Sequence, residues 1–455
     1  MAFIGNSCGQ NIKQMNTKEG LKREIGTWGL SANIINLIVG AGIFVIPAIV
    51  AEGLGAASVV AYLFCGFLIM LIMLCFAEVG SRLTQSGGAY SYIEVAFGKY
   101  FGFLTVNFFI LGATIMADAA VANALAGTLA YFMPLFKTEG VRILFFVFIF
   151  TGLALINIKG VKQGITLVVI TTIAKLTPLL LLVFIGFSKI SMSNLAWDSI
   201  PSTNDLGKVS LILFFAFQGA ESGLATGGEV KNPQKTIPRG ILISISFVIL
   251  LYVLIQLVAQ GILGASLSGF KEAPLAEVAR HIVGPFGVTL ILVGSGISMF
   301  GFLSGDVLNM PRVIYSAARD EVIRPLSLSR IHKKYATPHL AIILYSGMGC
   351  LFAITGEFRQ LAILSSASVL LIYLGVAFAL IKLRLDKKAE PETFKVWGGY
   401  TVPVISILII LWVLSKLTTN ELIGIVSFTA IISVIYLAMN FMKRKKNAIG
   451  MESNS

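Results

Sequence analysis

The chain has 455 residues, of which 56% are hydrophobic and only 13% are charged, and its mean hydropathy is +0.87. A soluble protein of this length could not bury so much apolar surface, so the composition excludes a soluble globular class and predicts an integral membrane protein. The formal net charge of +13 is explained by basic residues concentrated on one side of the predicted membrane spans, so it does not indicate nucleic-acid binding.

Apolar runs predict an all-α membrane protein with twelve transmembrane helices, called spans 1 to 12 in chain order. The spans are predicted near residues 28–50, 56–83, 101–134, 141–158, 162–187, 207–228, 237–264, 287–318, 338–356, 358–383, 399–419 and 421–443. Span 3 is long enough to imply a strong tilt or a bend. Before it, residues 87–100 predict a short amphipathic helix at the membrane surface.

The basic residues predict the orientation of the chain. An even number of spans puts both termini on one side, and most of the 35 lysines and arginines fall in connections on that side. Both termini are therefore expected in the cytoplasm, with the protein in the cell (cytoplasmic) membrane. The expected parts are an N-terminal tail, two five-helix halves of opposite orientation, helices 11 and 12, and a C-terminal tail, over residues 1–27, 28–187, 207–383, 399–443 and 444–455.

Span 1 contains an interruption near its middle. Gly40 and Gly42 lie there, and Pro47 follows. Each glycine weakens a helix by roughly 1 kcal/mol relative to alanine, and a proline removes one backbone donor. A backbone break inside a bilayer persists only against protein, a cavity or a ligand, so this stretch is a candidate site. The alternative is that the glycines only allow close helix packing.

Span 6 contains a second interruption, where Gly219 and Gly223 flank the ionisable Glu221. It lies five spans after the first. Two interrupted spans at matching places in two halves of a chain are typical of a transporter binding site at a repeat interface. The pair of breaks therefore favours a transporter.

Four ionisable side chains lie within predicted spans, away from their ends: Asp118, Lys175, Glu221 and Asp306. Such groups are costly if they face lipid, so each is a candidate functional residue; the alternative is a buried structural pair. Lys175 and Glu221 are expected near the breaks, where either could couple a proton to a conformational change. For Asp118 and Asp306 both interpretations stay open.

Phenylalanines surround the predicted breaks, and an aromatic cluster there could close over a bound solute. In a chain with 32 phenylalanines, most are expected to face lipid or to pack. The phenylalanines concerned are Phe214, Phe215 and Phe217 in span 6, and Phe300 and Phe302 in span 8. The four cysteines have no metal-binding or redox spacing, and no cofactor or metal is predicted.

Four motifs in order identify a resemblance to a known family. They are GAGIF (40–44) in span 1, SGGAYSY (86–92) with AFG (96–98) before span 3, EVKNPQKTIPR (229–239) after span 6, and PRVIYSAARD (311–320) at the end of span 8. Over nearly its whole length the chain resembles the amino acid–polyamine–organocation (APC) transporters. It departs from them at Thr84-Gln85, where the family often has a proline before the double glycine.

The resemblance implies a LeuT-like fold of two inverted five-helix repeats plus two helices, working by alternating access. In family members the backbone N–H groups at the span 1 break bind the substrate carboxylate, and carbonyl oxygens of the unwound part of span 6 bind its amino group. The residues that the resemblance assigns to these roles here are Ala41, Gly42 and Ile43 for the carboxylate, and Phe215, Phe217 and Gly219 for the rest of the backbone site. Asp118, Met116 and Phe300 are the candidates for the side-chain pocket.

The resemblance also implies how transport is driven. Lys175 matches a lysine of sodium-independent members that occupies the place of a sodium ion in sodium-coupled relatives. Glu221 matches an acidic position linked to proton sensing in some bacterial exchangers. The sequence therefore predicts sodium-independent amino acid transport by proton symport or exchange.

Other functions remain as alternatives. A polyamine or cationic amino acid exchanger is favoured by Asp118 near the expected side-chain pocket. A membrane-embedded enzyme would need a catalytic constellation, and none is visible in the sequence, so the protein is predicted not to be an enzyme. A channel would need a filter-like repeated motif. The expected partners are an amino acid or amine substrate, protons and the lipid bilayer, with no nucleic acid; the oligomeric state is left open.

Overall fold

The computed structural model describes residues 25–83, 88–159, 165–197, 200–224, 230–335, 337–386 and 394–452. Several predicted features therefore lie partly outside the described residues. They are most of the N-terminal tail, Thr84-Gln85 with the first two residues of the SGGAYSY motif, residue 229 of the EVKNPQKTIPR motif, residues 162–164 of span 5, residues 225–228 of span 6, and the end of the C-terminal tail. Within the described residues, regular structure is helical apart from one isolated bridge between Ile25 and Val230.

Seventeen α-helices in the described residues are numbered here in chain order. They are α1 (Thr27–Ile38), α2 (Gly42–Leu54), α3 (Ser58–Arg82), α4 (Gly88–Phe97), α5 (Lys99–Asn107), α6 (Met116–Phe132), α7 (Glu139–Lys159), α8 (Ile165–Gly186), α9 (Thr203–Leu213), α10 (Ala220–Leu224), α11 (Pro233–Leu263), α12 (Pro274–Val283), α13 (Pro285–Arg319), α14 (His339–Thr355), α15 (Phe358–Leu385), α16 (Thr401–Leu414) and α17 (Thr419–Glu452). A π-helical segment, Phe108–Ile115, joins α5 to α6.

Within the described residues, eight helical stretches are long and apolar enough to cross a membrane. They are Gly42–Arg82, Lys99–Phe132, Glu139–Lys159, Thr172–Lys189, Pro233–Gly269, Pro285–Arg319, Phe358–Leu385 and Thr419–Phe441. Two shorter apolar helices, α14 and α16, fall on predicted spans 9 and 11. The chain is therefore an all-helical, multi-pass membrane protein, and the count of twelve spans stays a prediction.

Both predicted interruptions are present. Span 1 consists of α1 and α2, separated at residues 39–41, and Pro47 lies inside α2 without breaking it. Span 6 consists of α9, one 3-10 turn (Phe214–Ala216) and α10, with residues 217–219 outside any helix. These two segments are called the span 1 break and the span 6 break below.

The two broken spans run antiparallel with their breaks at the same level. The first piece of span 1, α1, packs against the last described piece of span 6, α10, while α2 packs against α9. The backbone N–H of Lys231 also donates to Ile25 O at 2.9 Å, which fastens the start of span 1 to the chain leaving span 6.

The remaining spans surround this central pair. Span 2 packs against span 7 (α3 on α11), span 3 against span 8 (α6 on α13), and span 4 against span 9 (α7 on α14). Each of these contacts joins a span to the one five places later. The last helix, α17, lies at the edge with few buried residues.

Three features differ from the sequence predictions. The predicted surface helix is α4, but one of its faces is buried through Ala89, Tyr92 and Ile93. The connection after span 7 contains α12, which begins with Pro274 in the first turn, a position where proline is favoured. The last helix continues to Glu452 rather than ending at 443, because the lysines and arginine at 443–446 are good helix formers.

Candidate functional site

The span 1 break leaves backbone carbonyl oxygens without their helical partners, and side chains from other spans replace them. In a continuous helix Asn36 O would accept from Gly40 N, but here Gly40 N donates to Ile38 O at 2.8 Å. The Lys175 ammonium donates instead to Asn36 O at 2.7 Å and to Val39 O at 2.9 Å. Lys175 is only 4% exposed, so its charge is satisfied by these two carbonyl groups inside the protein.

Two neutral donors complete this set. Tyr252 Oη donates to Ile38 O at 3.1 Å, and Ser298 Oγ donates to Val39 O at 3.4 Å. The carbonyl side of the span 1 break is therefore occupied by donors of the protein itself. In the first turn of α2 the N–H of Phe44 donates to Ala41 O at 3.1 Å, whereas the N–H groups of Gly42 and Ile43 come too early in the helix for a partner within it. This end of α2 carries the positive end of the helix dipole. That end can bind an anionic group.

A glycine at position 42 is required by close packing between the two breaks. A Cβ on Gly42 would lie 2.6 Å from Ala216 Cα and 2.8 Å from Ala216 Cβ, at the 3-10 turn of span 6. Real Cβ atoms do not approach backbone atoms this closely, so any side chain at position 42 would push the two spans apart. The first turn of α2 is thereby held directly against span 6.

Gly219 is required at the span 6 break for two independent reasons. Its φ of +116° lies in the region that side chains other than glycine rarely adopt, and a Cβ there would lie 2.7 Å from Leu37 O. The close approach holds the span 6 break against the end of α1.

Gly219→Ala should therefore destabilise the protein and weaken binding. The backbone strain alone is expected to cost about 1–3 kcal/mol, and the clash with Leu37 adds to it. The measurement is the thermal unfolding midpoint in detergent. Gly127→Ala is the matched control, since a Cβ there meets nothing within 4 Å, and it should leave the midpoint unchanged or slightly raised. A Gly219→Ala protein that unfolds at the wild-type temperature would contradict this.

Glu221 folds back over the span 6 break. Its carboxylate oxygens accept from Gly219 N at 3.0 and 3.2 Å, and Oε2 also accepts from the Tyr373 hydroxyl of α15. Glu221 is buried, so this carboxyl stabilises the unwound backbone and connects it to span 10.

A cavity lies where the two breaks meet. Its free space, including its open side, is about 540 Å³. The residues that line it come from spans 1, 3, 6, 8 and 10: Leu37, Ile38, Gly40, Ala41, Gly42, Ala113, Thr114, Ala117, Val121, Phe215, Gln218, Gly219, Glu221, Ser222, Phe302, Asp306 and Val369. It is called the central cavity below.

Of the eleven residues to which the resemblance assigns a role, five line the central cavity: Ala41, Gly42, Phe215, Gly219 and Glu221. Gly40, Phe302 and Asp306, also noted in the sequence, line it too. The other six of the eleven do not. Ile43 and Phe217 are fully buried beside it, and Phe217 packs edge-on against Tyr62 and Tyr252. Lys175 lies on the carbonyl side of the span 1 break.

The three side-chain pocket candidates, Asp118, Met116 and Phe300, also lie outside the cavity lining. Phe300 is 48% exposed, whereas Phe302 lines the cavity, because two residues along a helix turn a side chain by about 200°. Asp118 is fully buried behind the cavity, where it accepts from Tyr345 Oη at 2.9 Å.

A polar bridge beside the cavity was not predicted from the sequence. Gln218 Nε2 lies 3.0 Å from Ser365 Oγ of α15, and Ser365 Oγ donates to Ala113 O of the π-helical segment at 2.9 Å. This bridge joins the span 6 break to spans 3 and 10. The adjacent polar residues Ser365 and Ser366 inside an apolar span were the available signal.

Comparison with known proteins identifies related membrane transporters. The family model described as amino acid permease matches residues 25–442. The chain is similar to the serine/threonine exchanger SteT of Bacillus subtilis (strain 168), with 30% identity over 86% of this chain and 91% of that protein.

Two further relatives extend the likeness. The branched-chain amino acid permease BcaP of the same organism is 25% identical over 98% of this chain and 99% of its own length. The large neutral amino acids transporter small subunit 2 of Homo sapiens is 27% identical over 85% of this chain and 74% of its own length. The match to the family model over most of the chain, together with these relatives, shows that the chain belongs to the amino acid permease family of APC membrane transporters.

Proposed function

We propose that this protein is a sodium-independent secondary transporter that moves amino acids across the cytoplasmic membrane by alternating access. The observation that carries the proposal is the meeting of two broken, antiparallel spans at the central cavity. Protein donors already occupy the carbonyl side of the span 1 break, whereas the first turn of α2 is directed at the cavity. Such a site suits a zwitterion.

The substrate carboxylate would bind the N–H groups of Ala41, Gly42 and Ile43, where the dipole of α2 favours negative charge. The substrate ammonium would bind carbonyl oxygens of Phe217 and Gly219 at the span 6 break, with Phe215 and Phe302 beside the side chain. The two breaks are in contact at Gly42 and at Gly219, so both ends of one small solute can be bound at once.

Lys175 supports sodium independence. Its ammonium already supplies a fixed positive charge to two carbonyl oxygens that a bound cation would otherwise coordinate. Proton symport and exchange both remain within the proposal.

The proposed fold is twelve transmembrane helices with a LeuT-like inverted repeat over residues 28–187 and 207–383, followed by helices 11 and 12 over 399–443. The pairing of each of spans 1 to 4 with the span five places later supports this repeat. Two like units related by a two-fold axis would make such contacts. The termini are proposed to be cytoplasmic, on the basis of the basic residues in the connections.

A polyamine or cationic amino acid exchanger is the second candidate. It is favoured by the carboxyls of Glu221 and Asp306 in the lining of the central cavity, rather than by Asp118, which lies behind it. The three relatives described above are named for serine and threonine, branched-chain and large neutral amino acids. Neutral amino acids are therefore placed first.

Uptake by purified protein in proteoliposomes tests the proposal. Labelled L-serine, L-leucine and putrescine would be offered with and without internal substrate, in sodium and in choline buffers. Uptake of an amino acid that is equal in the two buffers is expected. Uptake of putrescine alone would favour the second candidate, and a requirement for sodium would contradict the proposal.

Glu221→Gln should flatten the pH dependence of uptake while leaving expression close to wild type. The amide oxygen of glutamine still accepts from Gly219 N, but the amide neither gains nor loses a proton at the pH values of the assay. The measurement is the initial uptake rate across a series of external pH values. Asp205→Asn, at an exposed carboxyl, is the control. An unaltered pH profile in Glu221→Gln would give this residue a structural role only.

A further inference from the structure

Two buried carboxyl groups face each other where span 3 packs against span 8. Asp118 lies on α6 and is fully buried; Asp306 lies on α13, is 8% exposed and lines the central cavity. The two carboxyls are neighbours across this helix contact. They are called the Asp118–Asp306 pair.

One oxygen of the pair, Asp118 Oδ1, lacks a hydrogen-bond donor among the described residues. Tyr345 Oη of α14 donates to Asp118 Oδ2 at 2.9 Å, but Asp118 Oδ1 is buried and has no hydrogen-bond partner among the described residues. Carboxylates only accept hydrogen bonds, so two ionised carboxyls cannot bond to each other. One proton between them would supply the missing donor and remove a repulsion between like charges in a medium of low dielectric constant.

Among the described residues, no cation faces the pair to donate a hydrogen bond or to neutralise its charge. From span 6 the neighbouring charged group is Glu221, which acts electrostatically on Asp306 and is itself acidic. From span 9 the neutral Tyr345 hydroxyl faces Asp118. The Lys175 ammonium of span 5 donates to Asn36 O and Val39 O instead of to the pair. The surroundings therefore add negative charge rather than neutralising it.

We propose that the Asp118–Asp306 pair is a proton-binding site that couples one proton to the relative movement of spans 3 and 8. This rests on the proposed transport function. With the proton present, one carboxyl donates to the other and the two spans stay together. When the proton leaves Asp306 for water in the central cavity, the O–H bond breaks, and two negative charges are left between α6 and α13. Repulsion then favours an arrangement in which these helices are further apart.

Infrared difference spectroscopy on purified protein tests occupancy without any transport measurement. The wild type should show the band of a protonated carboxyl that shifts in heavy water. That band should be lost in Asp118→Asn and in Asp306→Asn, because the amide then donates to the remaining carboxylate. Asp205→Asn should keep it. Absence of the band from the wild type, or its persistence in both variants when each is combined with Glu221→Gln, would overturn the proposal.

Coupling is tested in proteoliposomes with labelled L-serine and L-leucine. Uptake driven by an inward pH gradient should fall at least tenfold in Asp306→Asn and in Asp118→Asn, while exchange of external for internal amino acid persists; Asp205→Asn should stay within twofold of wild type. A wild-type response to the gradient in both variants would overturn the proposal. So would uptake of putrescine that is lost only in Asp306→Asn, since the pair would then bind a cationic substrate. If no probe is transported at all, the transport function fails, and the infrared band still decides whether the pair holds a proton.

Discussion

Gly42→Ala is expected to abolish substrate binding while the protein remains inserted and folded. The added Cβ would lie 2.6 Å from Ala216 Cα, which is backbone and cannot turn aside. The first turn of α2 must then move away from span 6, so the N–H groups of one break and the carbonyl groups of the other no longer fit one small zwitterion. Leucine at this position would have a larger effect of the same kind.

Gly40→Ala is the matched control, two residues away in the same break. A Cβ on Gly40 would lie 3.7 Å from Phe302 Cδ2 and 3.9 Å from Ile38 O, which are ordinary contacts. The measurement is the thermal shift of each purified variant on adding L-serine, L-leucine or putrescine, since a ligand that binds the folded state raises its stability. Equal shifts in Gly42→Ala and wild type would show that this contact does not shape the site.

Lys175→Ala is expected to reduce uptake at least tenfold. The variant loses the donor to Asn36 O, and a buried carbonyl left unpaired costs about 1–3 kcal/mol, whereas Val39 O still accepts from the Ser298 hydroxyl. A cost of about 2 kcal/mol at Asn36 O exceeds the 1.4 kcal/mol that corresponds to a factor of ten. The span 1 break should then lose the conformation that directs α2 at the cavity.

Tyr252→Phe provides the comparison. It removes a donor to Ile38 O, but that oxygen also accepts from Gly40 N and stays paired. Initial uptake rates would be measured for both variants and the wild type in sodium and in choline buffers, with folding checked by size-exclusion elution. Normal transport by Lys175→Ala, or a wild type that requires sodium, would reduce Lys175 to a packing residue.

The breaks could be predicted because their cause is local. Glycines near the middle of an apolar run weaken that run wherever it lies, and an ionisable residue beside them marks a position that lipid does not tolerate. The partners of the freed backbone groups could not be predicted. Lys175 and Asn36 lie 139 positions apart in the chain, and only the packing of span 5 on span 1 brings them together.

The direction in which each side chain points from its helix could not be predicted from the sequence either. Phe300 and Phe302 are equivalent in composition and close in sequence, but the rotation of α13 relative to the cavity decides which one lines it. The same rotation places Asp306 in the cavity lining, and the rotation of α6 places Asp118 behind the cavity. The ten-residue helix α12 was not predicted, because a short helix that contains Glu277 and Arg280 is too polar to stand out as an apolar run.

The π-helical segment Phe108–Ile115 allows span 3 to change its length by one residue. A π turn contains more residues than an α turn over nearly the same rise, so it absorbs an inserted residue without changing the faces of α5 and α6 on either side. The same residue inserted into α6 would turn everything beyond it by about 100°, and Asp118 would leave its contact with Tyr345. Span 3 can therefore gain a residue in the π-helical segment, beside the cavity at Ala113 and Thr114, without rotating its two ends relative to each other.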